Sequence, residues 1–110
     1  AHARVRAHRR REAFEARRTQ AWAAARTAAA RLRDDLGATR VCVFGSLADG
    51  RWFHDRSDID LAVWGIPVHA WLDAVGLLEE VDAEFEFDLV RGEAARPGLL
   101  ELIRRTGIEV

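Results

Sequence analysis

The chain has 110 residues, of which 49% are hydrophobic and 32% are charged, and its formal net charge at pH 7 is −1. This length suits one domain with a core of moderate size and leaves little room to enclose a large substrate. The longest uncharged stretch, residues 61–72, is too short to span a bilayer. The arginine-rich start lacks the apolar segment of a secretory signal. We therefore expect a cytoplasmic protein with no membrane span.

The charges are unevenly distributed along the sequence. Residues 1–40 contain eleven Arg against four Asp or Glu, whereas residues 41–110 contain six Arg against fourteen Asp or Glu. The acidic second half repels nucleic-acid phosphates, so we do not expect a nucleic-acid partner. We expect the basic segment to lie against the acidic part of its own chain or against an acidic partner. A homo-oligomer is a further possibility.

The first predicted elements are a long helix, a strand and a short helix. Residues 8–36 are rich in Ala, Arg, Glu and Leu, without Pro or Gly, and predict a helix that Gly37 ends. Residues 41–44 form an apolar run that predicts a strand. Ser46 is suited to cap a short helix over residues 47–51.

The second half continues the alternation of strands and helices. Alternating side chains predict strands over residues 58–64 and 83–90. Pro67 opens a helix, and Pro97 opens the last one, which ends at Gly107 before a closing strand over residues 108–110. The apolar stripe predicted for the helix after Pro67 consists of Val68, Trp71, Leu72, Val75 and Leu78.

This order of elements predicts an α/β (α+β) fold, with a small mixed β-sheet and helices packed mainly on one side. The sequence contains no internal repeat and no Gly-, Ser- or Pro-rich linker. We therefore expect residues 1–110 to form a single domain, in which residues 1–37 are an N-terminal helical extension packed on the rest.

Two aspartates share one face of the strand over residues 58–64. Residues two apart in a strand lie about 6.5 to 7 Å apart at their Cα atoms, so Asp58 and Asp60 present their carboxylates side by side. Asp88 joins them if the strand over residues 83–90 pairs beside this one. Three carboxylates can hold two divalent cations for an in-line phosphoryl displacement. The alternative for Asp58 and Asp60 is a half-exposed strand whose polar face is merely acidic. A separate alternative makes Asp88 one of several solvated acids, with Glu86 as the ligand in its place.

Gly45 and Ser46 follow the first strand and open a helix. Backbone N–H groups and the Ser46 hydroxyl converge there, and the helix start favours an anion such as phosphate. Gly45 lets the backbone approach a phosphate closely. An anion site next to a carboxylate pair predicts binding of a metal-bound nucleoside triphosphate.

Together these residues resemble the signature of the DNA polymerase beta superfamily of nucleotidyltransferases, in particular the minimal nucleotidyltransferases. The signature is Gly45-Ser46, then Asp58-Ile59-Asp60, then a third carboxylate, Asp88, on a later strand. The resemblance implies a polymerase beta palm-like fold, catalytic Asp58, Asp60 and Asp88 that bind two Mg²⁺ ions, and nucleotide-binding Gly45 and Ser46, with ATP as substrate. Asp49 departs from the family pattern, which commonly has a basic residue there, and Arg51 or Arg56 is the alternative source of positive charge.

Minimal nucleotidyltransferases of this type commonly pair with a helical HEPN toxin. The resemblance therefore implies an antitoxin that transfers a nucleoside monophosphate, AMP from ATP, to a hydroxyl of that partner protein. The chain contains no tyrosine, so a tyrosine acceptor belongs to another molecule. Two alternatives remain: an antitoxin that acts by binding alone, and a nucleotidyltransferase for small molecules of the aminoglycoside type, which generally carries an extra domain.

Overall fold

A computed structural model of the chain describes residues 2–50, 53 and 56–110, with the side chains of residues 2–8 left aside. The order of helices and strands is the predicted one. Short 3₁₀ helices at Val68–Ala70 and Gly92–Ala94 precede the third and fourth α-helices. The elements are α1 (His2–Leu36), β1 (Arg40–Phe44), α2 (Gly45–Asp49), β2 (Ile59–Trp64), α3 (Trp71–Val81), β3 (Phe87–Arg91), α4 (Pro97–Thr106) and β4 (Ile108–Glu109).

The four strands form one mixed sheet in the order β3-β2-β1-β4. β1 pairs antiparallel with both β2 and β4, whereas β2 and β3 run parallel. A parallel pair requires a crossover connection, and α3 supplies it between β2 and β3. The closing strand predicted near the C-terminus is confirmed by the pairing of β4 with β1.

The two faces of the sheet are covered unequally. On one face, Val41, Val43, Ile59, Leu61 and Val63 pack with α1, α2 and α3 in the main core. On the other face, Cys42, Phe44 and Ala62 form a smaller cluster with Ile103 of α4. The predicted α/β class, with helices mainly on one side of a mixed sheet, is confirmed.

The long helix α1 uses small side chains to approach the sheet closely. Ala21, Ala25, Ala28 and Leu32 are fully buried, whereas residues 9–13 are exposed. The helix begins at His2, earlier than predicted, because no glycine or proline interrupts it before Gly37. Gly37 has φ 76° and donates its N–H to the Arg33 carbonyl, so the predicted helix end is confirmed.

The apolar stripe predicted for the helix after Pro67 is confirmed at Trp71 and Leu78, which pack in or against the main core, and was wrong at Val68 and Leu72. Pro67 precedes a 3₁₀ turn, and the α-helix begins only at Trp71. A 3₁₀ turn advances each residue by about 120° instead of 100°, which rotates the buried side of the following helix. Ala74 and Leu78 are buried, while Val68 and Leu72 are 68% and 82% exposed.

None of the helices in the described part of the chain is both long enough and apolar enough to cross a bilayer.

Candidate active site

The pairing of β2 with β3 brings two of the predicted site residues together. Asp60 lies opposite Asp88 in the parallel register. Neighbouring strands are about 4.8 Å apart, and side chains at paired positions project from the same face of the sheet. Asp58 lies one residue before β2 rather than inside it, two positions from Asp60. Strand pairing thus places Asp60 and Asp88 side by side, with Asp58 adjacent in the chain.

The environment of Asp60 disfavours its negative charge. Burial of the carboxyl, followed by the charges of Asp88 and Asp58, raises the pKa of Asp60 to about 6. The carboxylates of Asp88 and Asp58 are therefore close enough to repel a negative charge on Asp60. Such a cluster favours a cation, because a bound positive charge removes the mutual repulsion and restores the ionised form of Asp60.

Gly45 contacts the Asp60 carboxyl at the end of β1. Phe44 pairs with Asp60 across the β1–β2 ladder, and Gly45 follows directly with φ 70°. A Cβ atom on Gly45 would lie 2.1 Å from Oδ2 of Asp60, so a larger residue there would displace the Asp60 carboxyl. Glycine therefore suits the backbone conformation and permits the close approach. The predicted nucleotide-binding pair and the predicted metal ligands meet at this point.

The predicted role of Ser46 as a helix cap was wrong. α2 begins at Gly45, one residue after the strand, and its N-cap Phe44 makes no side-chain capping hydrogen bond. Ser46 therefore lies inside the first turn, where the backbone N–H groups have no partner within the helix. The half-buried Ser46 is left for a role other than capping.

The acidic residues suit Mg²⁺ as some of its ligands, with the phosphates of a nucleotide and water as the others. Mg²⁺ in proteins usually takes one or two carboxylates together with substrate phosphates and water. Within residues 2–50, 53 and 56–110, no three Asp, Glu, His or Cys side chains converge closely enough to hold a metal by themselves. The adjacent carboxylates of Asp60 and Asp88 fit an ion whose remaining ligands come from the phosphates of a nucleotide.

Two arginines that sequence reasoning treated as part of a basic helix reach this end of the sheet. Arg18 donates from Nη2 to the Leu47 carbonyl of α2 at 3.4 Å. Arg17 donates from Nη2 to the Glu84 carbonyl at 3.1 Å, and its guanidinium lies 4.4 Å from the centre of the Phe85 ring. The adjacent pair of arginines just before the buried alanines was the only signal in the sequence. The expectation that the basic segment lies against the acidic part of the chain holds for Arg17.

A second source of positive charge lies beside Asp58. Arg56 and Arg17 line a cavity of about 400 Å³ together with Ser57, Asp58 and Glu86. The basic residue that the family commonly has at position 49 is replaced by an exposed aspartate. Arg56 lies near Asp58, and its role as the source of positive charge for a triphosphate stays a prediction. Arg51 lies outside the described residues. Glu86, the substitute ligand, is exposed and precedes β3, and its carbonyl accepts the N–H of Ile59.

The chain belongs to the polymerase beta nucleotidyltransferase family, which matches residues 30–110. Its fold is that of a minimal nucleotidyltransferase domain. The matched region begins within α1 and contains all four strands. Arg17 and Arg18 lie outside it. No curated protein shows a significant match to the sequence.

Solved structures support the same fold. A protein assigned as a minimal nucleotidyltransferase is 29% identical, with a TM-score of 0.59 over 90% of this chain and 94% of its own. A toxin–antitoxin structure with AMP-PNP is 27% identical, with a TM-score of 0.60 over 71% of this chain. A mutant of the toxin–antitoxin pair MntA–HpeT is 23% identical with a TM-score of 0.58 and shows the fold alone. The chain spans 64% of the length of each toxin–antitoxin match.

Proposed function

We propose that this protein transfers AMP from ATP to a hydroxyl group of a partner protein and that it is the antitoxin of a HEPN/MNT toxin–antitoxin pair. The observation that carries the proposal is the meeting of three features at one point. Asp60 pairs with Asp88, its pKa is raised by burial and by the charges of Asp88 and Asp58, and Gly45 packs directly against it. Membership of the nucleotidyltransferase family supports the class of reaction.

Each residue has a distinct role in the proposed reaction. Asp60 and Asp88, with Asp58 beside them, would hold Mg²⁺ together with the phosphates of ATP, and the backbone at Gly45 and Ser46 would bind the triphosphate. When bound, Mg²⁺ neutralises phosphate charge and polarises the α-phosphate, and a site of this kind takes one ion or two. The Asp88 carboxylate accepts the proton of the acceptor hydroxyl. The acceptor oxygen forms a bond to the α-phosphorus, the bond from that phosphorus to the β-phosphate oxygen breaks, and pyrophosphate leaves.

The proposed partner is a helical toxin of the HEPN class. Support comes from the 27%-identical toxin–antitoxin structure, which contains AMP-PNP, an analogue of ATP. The chain itself has no tyrosine. A tyrosine acceptor would therefore belong to another molecule, in agreement with modification of the partner protein.

The test uses the purified chain, the protein encoded by the adjacent gene, Mg²⁺ and ATP labelled at the α-phosphate. We expect label on the neighbouring protein and release of one pyrophosphate for each AMP transferred. Asp60→Asn is expected to abolish labelling, and Asp58→Asn is expected to do the same. The matched control is Asp34→Asn, which removes an exposed carboxylate at the far end of α1 and should transfer AMP at the wild-type rate.

The binding-only alternative makes a different prediction for the same mixture. If the two proteins form a tight complex and the toxin is neutralised while no label is transferred, the catalytic proposal is wrong. The same conclusion would follow if the Asp60→Asn variant neutralised the toxin at the same concentration as the wild type, because binding alone would then account for the antitoxin effect.

A further inference from the structure

A cavity opens between α3 and β3, at the edge of the sheet. β3 pairs with β2 on one side only, so the backbone groups along its other side face this space. The cavity has a volume of about 500 Å³, and we call it the α3–β3 groove. Its apolar walls consist of Val75 and Leu78 from α3 and of Phe85, Phe87 and Leu89 from the β3 segment.

The apolar surface continues out of the groove along α3. Leu72 and Val75 are three residues apart in α3, so they lie on one side of the helix. Leu72 is 82% exposed, and Val75, which lines the groove, is 38% exposed. Isolated exposed apolar side chains are ordinary, but this pair extends the apolar wall of the groove onto the surface of α3.

The polar residues of the groove all carry the same sign of charge. Glu79, Asp82, Glu86 and Asp88 line it, and its described lining includes no Arg, Lys or His. Four carboxylates around apolar walls favour an occupant with basic side chains, since such an occupant relieves the repulsion among them. Charge complementarity therefore selects a segment that is both basic and apolar.

The groove also connects directly to the candidate active site. Asp88 lines the groove and at the same time pairs with Asp60 in the sheet. A segment bound in the groove therefore passes beside the carboxylate to which we assign the acceptor proton.

We propose that the α3–β3 groove docks a basic amphipathic helix of the acceptor protein and so brings the acceptor hydroxyl to Asp88. The inference rests on the proposed function, because it assigns a docking surface to the protein substrate. The helix would place apolar side chains, three or four positions apart, on Leu72, Val75 and the groove, and basic side chains on Glu79 and Glu86. The basic part of α1 in a second copy is a poorer match, since Phe14 is the only large apolar residue between residues 6 and 20.

Docking can be measured without ATP or Mg²⁺, and hence independently of catalysis. The probe is a fluorescein-labelled helical peptide of about 18 residues, or five turns, built from Leu and Lys, with a Leu and Glu peptide of the same pattern as its control. We expect fluorescence anisotropy to show saturable binding of the Leu and Lys peptide alone. Leu72→Glu should weaken this binding at least about tenfold, and Glu79→Lys should weaken it about three- to tenfold.

Matched substitutions separate docking from general surface changes. Leu102→Glu alters a 38% exposed leucine on α4, and Glu80→Lys reverses an exposed charge on α3 outside the groove lining. Both should leave the affinity within about twofold of the wild-type value, because neither side chain lines the groove or belongs to the exposed apolar pair Leu72 and Val75 beside it. The proposal would be overturned if the protein bound the two peptides equally well. It would also be overturned if the control variants lost as much affinity for the Leu and Lys peptide as Leu72→Glu and Glu79→Lys do.

Two further outcomes assign a failure to one proposal or the other. If the Leu72→Glu variant transfers AMP to the neighbouring protein as fast as the wild type does, docking is disproved and the proposed function stands. Peptide binding that requires Leu72, in a protein that never transfers AMP, would support docking and disprove the transferase. Sedimentation that shows a dimer lost in Leu72→Glu would assign the groove to a second copy and overturn the proposal.

Discussion

Replacing Asp60 by Asn should stabilise the metal-free protein while it abolishes nucleotidyl transfer. Stability and activity usually fall together when a buried residue is changed, so this opposite response is a specific test of the site. The cause is the pKa of Asp60, which burial and the charges of Asp88 and Asp58 raise from 3.8 to about 6. Asn keeps the shape of the side chain and removes the charge that the neighbours repel.

The size of the effect follows from the pKa. At about 1.4 kcal/mol for each pH unit, the shift corresponds to an upper limit of roughly 3 kcal/mol. Asp60 is only half-buried, and solvent screening reduces this to about 1 to 2 kcal/mol. The raised pKa means that the folded state holds its proton more strongly than the unfolded state. The cost is therefore absent below about pH 4, grows as the pH rises to about 6, and is complete above that.

The assay is urea unfolding in EDTA at about pH 8 and about pH 4.5, for the wild type, Asp60→Asn and the control Asp34→Asn. We expect Asp60→Asn to raise the free energy of unfolding by about 1 to 2 kcal/mol at the higher pH and by much less at the lower pH. Asp34→Asn should show no such difference. A loss of stability at the higher pH, or the same gain at both, would refute the claim that the Asp60 charge is destabilising.

Four other outcomes test the site and its supporting structure. Millimolar Mg²⁺ should raise the melting temperature of the wild type by a few degrees in thermal denaturation and leave that of Asp60→Asn unchanged. With Mg²⁺ and ATP far below saturation, where the rate reports the metal-free protein, AMP transfer should fall below about pH 6 as Asp60 takes up a proton, and a profile without a transition in that range would argue against the raised pKa. Gly45→Ala should lower both stability, by about 1 to 3 kcal/mol, and transfer, because its Cβ would meet the Asp60 carboxyl. Gly92→Ala should destabilise the fold by about 2 to 3 kcal/mol in urea unfolding, since its Cβ would lie 2.0 Å from Cε2 of Trp64, and wild-type stability would show that this contact yields easily.

The order of the elements and the signature of the site could be read from local sequence alone. Helices and strands are specified by features within a few residues, such as the glycine after α1 and the alternation of side chains around Asp60 and Asp88. The side of the sheet on which Asp60 and Asp88 lie likewise follows from strand periodicity, because successive residues of a strand face opposite sides. The strand bounds were less accurate, since Asp58 precedes β2 and the strand predicted over residues 83–90 begins only at Phe87.

The errors arose where a neighbouring element decided the outcome. A 3₁₀ turn after Pro67 rotated α3, so Leu72 faces solvent although its spacing matches a core position. Ser46 fits a helix cap by composition, but the strand ends at Phe44 and the helix begins at once. Arg17 looked like one of many solvated arginines, and only the packing of α1 places it over Phe85.

The sequence by itself determined the family, the alternation of elements and the residue types of the candidate site. Only the tertiary structure decided that Asp88 stands opposite Asp60, that Gly45 touches the same carboxyl, and that an acidic and apolar groove leads to it. The physical reason is the range of the interactions. Backbone preferences and side-chain periodicity act over a few residues, whereas strand register and the electrostatic coupling of carboxylates depend on segments that are distant in the chain.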